Sequence, residues 1–400
     1  SLDRTGSISI EKLYSKEQFI RNKIVENFPI TAPCALQLLQ ASDQFLISSP
    51  HATRIQSGYP WSSEGIANEL RALPGLCLVT GRFPEAKEML VDFVEQMRQA
   101  ASVRTQRNFL EQVLWFFWSV QKYLEHSGDF EFIRMMHPHL LSFYQCVRNG
   151  VAGYFRMADD GLISIDDPHH RWFGKSAAIQ ALWYNALQFL EELEIKMGGK
   201  RKRYKDLALR VRDSFNQVLV DETMRYVHTR YADGKTDRIL RAEALLAMSL
   251  PYPVLDQKYY TMVFDTAWQY LYTSYGLREW IDLQPTARHI TETPTHDQAG
   301  AIRPVWIGVF ITAYFKIYGT QASSKAQARQ FIDPFEKHLD EMLIGSISEA
   351  FDAEWPYGGQ GCPSCALSVA EVLRVLVEEI GLMYKESSYH MDTLVSSPDP

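Results

Sequence analysis

The sequence has no excess of positive charge and no extended cluster of basic residues. It carries 41 Lys and Arg against 48 Asp and Glu, which gives a formal net charge of −7 at pH 7. Phosphate backbones are bound chiefly by clustered cations, so this balance argues against nucleic acid as the main partner. The one basic run, residues 200–204, is more simply a solvated loop between helices. We therefore predict a protein that does not bind nucleic acid.

Long apolar runs and paired cysteines are also missing. No run approaches the roughly 20 apolar residues that span a bilayer, and no charged-then-apolar leader opens the chain. The five cysteines show no paired spacing framework, which is typical of free thiols in a reducing compartment. These absences predict a cytoplasmic protein without a membrane partner. They carry no indication of its oligomeric state.

Strand patterns and internal repeats are scarce as well. The one strand signal is residues 224–229, followed by a turn at Asp233-Gly234, which predicts a small β-hairpin inserted between helices. No segment repeats at a fixed period. With 46% hydrophobic and 12% aromatic residues among 400, the chain can bury a large core as one big domain or as two ordinary ones.

Helical periodicity dominates from about residue 31 onward. Asp129 suits an N-cap, and Gly198-Gly199 is expected to end a helix. The pattern predicts twelve helices, at 31–48, 64–80, 84–101, 106–126, 130–150, 174–197, 200–220, 238–250, 256–274, 299–318, 325–343 and 363–384.

Twelve helices joined by alternately short and longer connections predict an all-α fold of six antiparallel helical hairpins, closed into an α/α toroid. An open helical solenoid is the alternative architecture, and the lack of a repeat favours the closed form. We expect residues 1–30 to be a lead-in segment that could be the remnant of a longer chain. Residues 31–385 would form the toroid, and residues 386–400 a flexible tail.

The stretch 58–76 combines aromatic residues with carboxylates. Tyr59 and Trp61 lie in a Gly-Tyr-Pro-Trp turn, and Glu64 and Glu69 follow in a segment with helical spacing. Aromatic rings stack on the apolar faces of sugars, and carboxylates handle the protons of glycosidic cleavage. The pattern indicates a sugar site, and the alternative is a helix N-terminus with a buried tryptophan.

Two later loops add polar chemistry. Loop 275–298 contains polar residues that include Glu279, His296 and Asp297, and Arg303 and Trp306 follow on the next predicted helix. Loop 344–362 contains Glu349, which is followed by aromatic residues and glycines that allow backbone to approach a ligand. A glycosidase needs one carboxylic acid and one carboxylate, and Glu349 is a candidate for the second of these.

Two further motifs allow a metal or redox interpretation. Loop 151–173 holds paired aspartates and histidines, but the spacing fits neither an EF-hand nor a zinc site, and turns with Asx hydrogen bonds explain it. Cys362 and Cys365 form a lone C-x-x-C at a helix start, without a second pair. We predict no metal and no cofactor.

Several segments together resemble the glucosidase domain of glycogen debranching enzymes, the amylo-α-1,6-glucosidases. They occur in the family's order, at Pro33–Phe45, Gly58–Trp61, Ala72–Phe83, Leu182–Leu187, Ala247–Pro251, Tyr275–Arg278, Ile347–Glu349, Gly361–Pro363 and Ser368–Glu371. The resemblance implies a six-hairpin α/α toroid. It also implies inverting hydrolysis of a single α-1,6-linked glucose at a branch point of a glycogen-like α-glucan.

The resemblance also assigns roles to individual residues. Glu349 stands at the position of the family's general base, and Glu111 at that of an aspartate preceding a Leu-Trp-Phe segment. Arg241 is what remains of an Arg-Pro-Asn-Gln signature. The family's general acid falls on Asn68, which has no acidic proton to give, and the arginine before it falls on Ala67.

Three hypotheses remain open. The first is a working glycosidase whose acid has been relocated to Glu64, Glu69 or Glu111. The second is a homologue that binds α-glucan or a protein partner without cleaving it, and the third is a purely structural toroid. The predicted substrate-binding residues for an α-glucan or oligosaccharide are Tyr59, Trp61, Trp115, Tyr184, Arg241, His296, Asp297, Arg303 and Trp306.

Overall fold

The computed structural model describes most of the chain, in ten segments. They are residues 9–28, 32–48, 53–61, 65–99, 108–170, 172–199, 204–231, 233–283, 299–341 and 345–381. The α-helices in them are α1 (Ile10–Asn27), α2 (Pro33–Gln44), α3 (Ile66–Leu73), α4 (Phe83–Gln99), α5 (Phe109–Ser127), α6 (Phe130–Asn149), α7 (Ala177–Lys196), α8 (Lys205–Val218), α9 (Leu246–Ser249), α10 (Tyr260–Tyr270), α11 (Trp306–Tyr318), α12 (Ala322–Gln330), α13 (Asp333–His338) and α14 (Ala366–Val375).

Four shorter helical turns extend or precede these helices, and short strands connect them. The turns are π-helical at Pro74–Leu78 and Leu376–Ile380, and 3₁₀ at Ala242–Leu245 and Gln257–Tyr259. The strands are β1 (Leu46–Ser48), β2 (Thr53–Ile55), β3 (Gly58–Tyr59), β4 (Phe155–Met157), β5 (Ile163–Ile165), β6 (Val220–Asp221), β7 (Tyr226–Val227), β8 (Ile239–Arg241), β9 (Tyr272–Thr273), β10 (Gly276–Arg278), β11 (Trp280–Asp282), β12 (Ile302–Arg303), β13 (Ala350–Phe351), β14 (Gly359–Gln360) and β15 (Ser364–Cys365).

Six helices form a closed inner ring. In order around the ring they are α3, α5, α7, α9, α11 and α14, and each packs on the next, with α14 returning to α3. Helices α2, α4, α6, α8, α10 and α12 alternate with them in the sequence and pack outside. This closure confirms the predicted toroid of six helical hairpins and rules out the open solenoid.

The two rings differ in sequence because they differ in what surrounds them. Helix α5 is buried at almost every position from Phe109 to Gln121, as expected for a helix enclosed by neighbours on all sides. Helix α8 is buried only at Ala208, Val211 and Phe215, which form a single stripe. The outer helices therefore present one apolar face inward and a polar face to solvent.

A very close backbone contact closes the ring between its first and last helices. Gly75 lies in the π-helical continuation of α3, and a Cβ atom placed on it would lie 1.9 Å from the carbonyl oxygen of Ala370 in α14. No side chain fits between these backbones. Glycine is therefore required here by packing, and its conformational freedom is not the reason.

Strands are more numerous than the sequence predicted. A five-stranded sheet with the order β14-β13-β12-β10-β9 covers one rim of the toroid. Strands β8, β12 and β15 each precede an inner helix directly, where the helical predictions 238–250, 299–318 and 363–384 start too early. Strands of two or three residues are too short to show an alternating pattern, which explains the error.

Two other predictions need correction. Strand β7 pairs with β6 upstream of it and not across the predicted turn. The turn at Asp233-Gly234 does form, closed by a bridge between Arg230 and Thr236 and by a hydrogen bond from the Tyr231 N–H to the Lys235 carbonyl at 2.9 Å. The sequence analysis also placed no helix before residue 31, whereas the structure forms α1 there. By contrast, the predicted N-cap is confirmed, since the Asp129 side chain accepts a hydrogen bond from the Phe132 N–H. None of the helices in the described ranges combines the length and apolar content that crossing a bilayer requires.

Candidate active site

A cavity of about 140 Å³ opens at the rim that carries the five-stranded sheet. Asn68 from the first turn of α3, Trp306 at the start of α11, and Ala366 at the start of α14 all line it. The cavity therefore lies at the N-terminal ends of three inner helices. The positive ends of their helix dipoles stabilise negatively charged groups in the cavity. Its lining consists of Ile55, Ser57, Asn68, Arg71, Glu279, Arg303, Val305, Trp306, Glu349, Cys362, Cys365, Ala366, Leu367 and Ser368.

Glu349 is held by two hydrogen bonds in this cavity. Its carboxylate accepts one from Arg303 Nη1 at 2.9 Å and one from the Cys362 N–H at 3.1 Å. Burial raises the pKa of Glu349, but the Arg303 hydrogen bond and charge and the Cys362 N–H outweigh it, so the pKa is lowered. Glu349 is consequently a carboxylate at neutral pH.

The backbone around Glu349 leaves space for this carboxylate. Gly361 has a φ of +68°, a conformation that side chains rarely adopt, and a Cβ atom there would lie 2.6 Å from Glu349 Oε2. In addition, the Glu349 N–H donates to the Cys362 carbonyl at 2.8 Å. Gly361 thus allows the backbone of residues 361–362 to pack directly against the Glu349 carboxylate.

Arg303 lies between two carboxylates. Arg303 is on β12, which lies between β13 and β10 in the sheet. Glu349 directly precedes β13, and Glu279 directly follows β10. Arg303 Nη1 is 2.9 Å from Glu349 Oε1, and Arg303 Nε is 3.8 Å from Glu279 Oε2. Because both oxygens contact nitrogens of one rigid guanidinium group, they lie no more than about 9 Å apart.

Arg71 forms the inner end of the cavity. Its guanidinium carbon lies 4.9 Å from the ring centroid of Trp115 and 4.8 Å from that of Trp306. Arg71 is 8% exposed and, with Val305, also lines a second cavity of about 310 Å³ deeper in the toroid. A cation stacked between two indole rings therefore separates the rim cavity from the interior.

The second cavity contains a buried network of charges. Arg374 donates to Glu371 at 2.7 Å and to Glu378 at 2.9 Å, and Lys122 donates to Glu378 at 3.1 Å. Burial raises the pKa of Glu378, but the charges of Arg374 and Lys122 outweigh it and hold that pKa well below its usual range. Burial also lowers the pKa of Lys316 in the same cavity to about 8.

Four predicted site residues meet in the rim cavity, namely Asn68, Arg303, Trp306 and Glu349. The predicted stacking residue Trp61 lies beside this cavity, because its carbonyl oxygen contacts the thiol of Cys362, a lining residue. Trp61 is 63% exposed. Tyr59 instead stacks on Phe45 and donates its hydroxyl proton to the Gln44 carbonyl at 2.8 Å.

The remaining described candidates do not line the rim cavity. Glu69 accepts two hydrogen bonds from Arg54, at 2.9 and 2.6 Å, and lines a different pocket. Trp115 faces the inner cavity, and Arg241 forms an ion pair with Asp237 at 2.9 Å. Tyr184 and Glu111 are buried in the inner helices α7 and α5. Glu64, His296 and Asp297 lie outside the described residues.

Arg71 and the two cysteines line the cavity and were not predicted site residues, and Glu279 was predicted only as one of several polar residues in loop 275–298. Glu279 directly follows the family-like segment Tyr275–Arg278, which was the available signal. Burial raises the pKa of Cys362 to about 11, and burial also raises that of Cys365, so both thiols are protonated. The described segments contain no group of three or more His, Cys, Asp or Glu placed to hold a metal ion.

Solved structures with the same fold include glycoside hydrolases. A sialidase matches with a TM-score of 0.63 and 13% identity over 94% of this chain, which spans 38% of the sialidase chain. An uncharacterized conserved protein from Thermus thermophilus matches with a TM-score of 0.58 and 13% identity, covering 86% of this chain and 99% of its own. A GH63 mannosylglycerate hydrolase from the same organism, in complex with Tris and D-glycerate, matches with a TM-score of 0.56 and 13% identity, covering 86% and 100%.

At 13% identity these structures establish the fold alone. A search among curated proteins found no sequence match. The model of the amylo-alpha-1,6-glucosidase family, in contrast, matches residues 40–374. This range includes the six inner helices except Val375, the last residue of α14, and every described residue of the rim cavity. The chain belongs to the amylo-alpha-1,6-glucosidase family of glycoside hydrolases.

Proposed function

We propose that this protein hydrolyses α-glucosidic bonds in a branched α-glucan, releasing one α-1,6-linked glucose with inversion at the anomeric carbon. The observation that carries the proposal is the arrangement of two carboxylates, Glu349 and Glu279, on either side of Arg303 in the rim cavity. Inverting glycosidases place their two carboxyl groups roughly 6.5 to 9.5 Å apart, with a water molecule between one of them and the sugar. The upper limit of about 9 Å keeps the two carboxyl groups close enough to act on one glycosidic bond, and the inverting outcome is taken from the family resemblance.

Glu349 has the properties of the general base. Its lowered pKa keeps it charged, so it can take a proton from water as the water oxygen attacks the anomeric carbon. Arg303 fixes the carboxylate through Oε1, and the Cys362 N–H fixes it through Oε2. A base that is charged and oriented before the substrate arrives lowers the reorganisation needed in the transition state.

The direct test is glucose release by the wild-type protein. A branched limit dextrin is incubated with the protein, free glucose is measured, and the anomer formed first is followed by NMR or polarimetry. We expect β-glucose from the branched dextrin and much less glucose from a linear malto-oligosaccharide of the same size. If neither substrate yields glucose, the proposed hydrolysis is wrong.

Removing Arg303 is expected to move the acidic limb of the pH profile of kcat/KM to higher pH. Burial raises the pKa of Glu349 and Arg303 lowers it, so Arg303→Met leaves only Cys362 to oppose the effect of burial. The base must be charged to act, and the variant therefore loses activity at a pH where the wild type is still active. Arg329→Met, which breaks a similar pair with Asp333 at 2.8 Å on α12, is the matched control. An unchanged limb in Arg303→Met would contradict the role of Arg303.

A second candidate function is α-glucan binding without cleavage. It is favoured by Asn68, which lines the cavity at the position where the family resemblance puts the acid, and by the exposed ring of Trp61. In this case malto-oligosaccharides would quench tryptophan fluorescence while no sugar is released.

Trp61→Ala is expected to weaken malto-oligosaccharide binding and to remove most of the fluorescence quenching. Stacking of a sugar on an exposed indole is lost, whereas the buried core is unaffected, since Trp61 is 63% exposed. Titration calorimetry and fluorescence measure both effects. Tyr14→Ala removes an equally exposed ring on α1 and should leave binding unchanged. Equal affinity of Trp61→Ala and the wild type would exclude the stacking role.

A further inference from the structure

We propose that Glu279 is the proton donor of this site. The inference rests on the proposed function, because a proton donor is needed only if the glycosidic bond is cleaved. It assigns the missing acid to a residue that lines the same cavity as Asn68 but directly follows β10, the strand that pairs with the Arg303 strand. The acid would thus come from the sheet at the rim and not from helix α3.

The backbone of Glu279 is fixed on both sides. It lies between β10, which ends at Arg278, and β11, which begins at Trp280. Its N–H donates to the Ala301 carbonyl at 2.9 Å, and its carbonyl accepts from the Ala242 N–H at 3.1 Å. These bonds connect Glu279 to the segments before α11 and α9, two inner helices of the toroid. The side chain is therefore carried by a rigid part of the rim.

The two carboxyl groups of the pair are bound differently. Glu349 accepts hydrogen bonds of 2.9 and 3.1 Å, whereas Glu279 approaches Arg303 only to 3.8 Å, which is longer than a hydrogen bond. The Glu279 side chain is also 37% exposed, so it can exchange protons with solvent. Glu279 is thus the less tightly held carboxyl group of the two, and its oxygens can approach a sugar bound in the cavity.

The other described acids are less suitable. Glu69 is held by two short hydrogen bonds from Arg54 and lines another pocket. Glu111 is 6% exposed and does not line the rim cavity. Among the described residues that line this cavity, the carboxyl groups are those of Glu279 and Glu349. The geometry therefore leaves Glu279 as the acid that pairs with the base.

The reaction balances with these two groups and one water. Glu279 gives its proton to the glycosidic oxygen as the bond from that oxygen to the anomeric carbon breaks, and the bonding electrons go to the leaving oxygen. Water forms the new bond to the anomeric carbon and gives a proton to Glu349. Glu279 ends as a carboxylate and Glu349 as a carboxylic acid, and proton exchange with solvent restores both.

Two substrates with different leaving groups distinguish a proton donor from a residue that only supports the structure. Fluoride leaves from α-glucosyl fluoride as a stable anion without being protonated, whereas the sugar oxygen of a dextrin needs a proton. Glu279→Gln is therefore expected to lower the rate on limit dextrin by about a hundred- to ten-thousand-fold. Its rate on α-glucosyl fluoride should fall by no more than a few-fold. The basic limb of its pH profile on dextrin should also disappear.

The control is Glu95→Gln, because Glu95 is an exposed carboxylate at the same 3.8 Å from an arginine, on the outer helix α4, and does not line the cavity. It should match the wild type on both substrates. Circular dichroism and the melting temperature of Glu279→Gln establish that it is folded, and Glu279→Asp, which keeps the acid, should recover part of the dextrin activity.

The outcomes separate this proposal from the proposed function. Selective loss on dextrin supports Glu279 as the donor. Equal loss on both substrates, or no loss on dextrin, overturns it while hydrolysis itself stands. A wild type that cleaves the fluoride but not dextrin also overturns it, because such a site has a base and no working acid. A wild type inactive on both substrates removes the proposed function and the role of Glu279 with it.

Discussion

Replacing Glu349 with glutamine is expected to lower glucose release from limit dextrin by at least about a hundred-fold, the usual minimum for a lost general base. Glutamine keeps the size of the side chain but cannot take a proton from water. Unlike Glu279→Gln, this variant should lose activity on α-glucosyl fluoride to the same extent, because the attack of water is needed for both substrates. Initial rates on both substrates measure the effect.

Azide provides an independent check of the same role. As a small anionic nucleophile it needs no base, and the space freed in Glu349→Gln should let it attack α-glucosyl fluoride to give β-glucosyl azide. The matched control is Glu354→Gln, which changes an exposed glutamate further along the same loop. Wild-type glucose release by Glu349→Gln would exclude Glu349 as the base.

Replacing Arg374 with methionine is expected to lower the free energy of unfolding by about 3 to 5 kcal/mol. Arg374 is 6% exposed and binds Glu371, Glu378 and Glu379 in the inner cavity. Without it, buried carboxylates lose their main counter-charge, while methionine fills most of the volume. Chemical denaturation at pH 7 measures the loss. Arg134→Met breaks an exposed pair with Glu131 and should cost no more than about 1 kcal/mol.

The cost of Arg374→Met should depend on pH with a definite sign. The pKa of Glu378 is lower in the folded protein than its value of 4.5 in an unfolded chain, so this carboxylate contributes stability above that pH. The contribution is lost as the pH falls below 4.5, and the difference between the variant and the wild type should shrink there. An equal difference at pH 7 and in the acidic range would contradict the ion-pair explanation.

The toroid could be predicted from the sequence because long helices show periodicity and burial over many residues. Helix α5, for example, is rich in apolar residues on all sides, and α8 is apolar along one stripe. The rim sheet could not be predicted, since strands such as β12 and β13 contain two residues each. That sheet brings Arg303, Glu279 and Glu349 together. Glu349 could be predicted from its loop and from the family resemblance, whereas its pairing with Glu279 could not.

The position of Glu69 shows why spacing alone misled the search for an acid. Glu69 follows Asn68 in α3, but neighbouring residues of a helix point about 100° apart. Asn68 therefore faces the rim cavity, while Glu69 faces Arg54 and another pocket. Closeness in sequence to the position of the family's acid did not place a carboxylate near the base.

Arg71, stacked between Trp115 and Trp306, limits which part of a polymer can reach Glu349. A passage open through the toroid would let a glucan thread past the carboxylates and be cut anywhere along its length. With Arg71 across the inner end, the cavity is a blind pocket. Only a chain terminus can enter a blind pocket, and each product must leave by the way it came. Under the proposed hydrolysis, the protein is therefore expected to act from chain ends, to dissociate after every cut and to leave internal glucan segments intact.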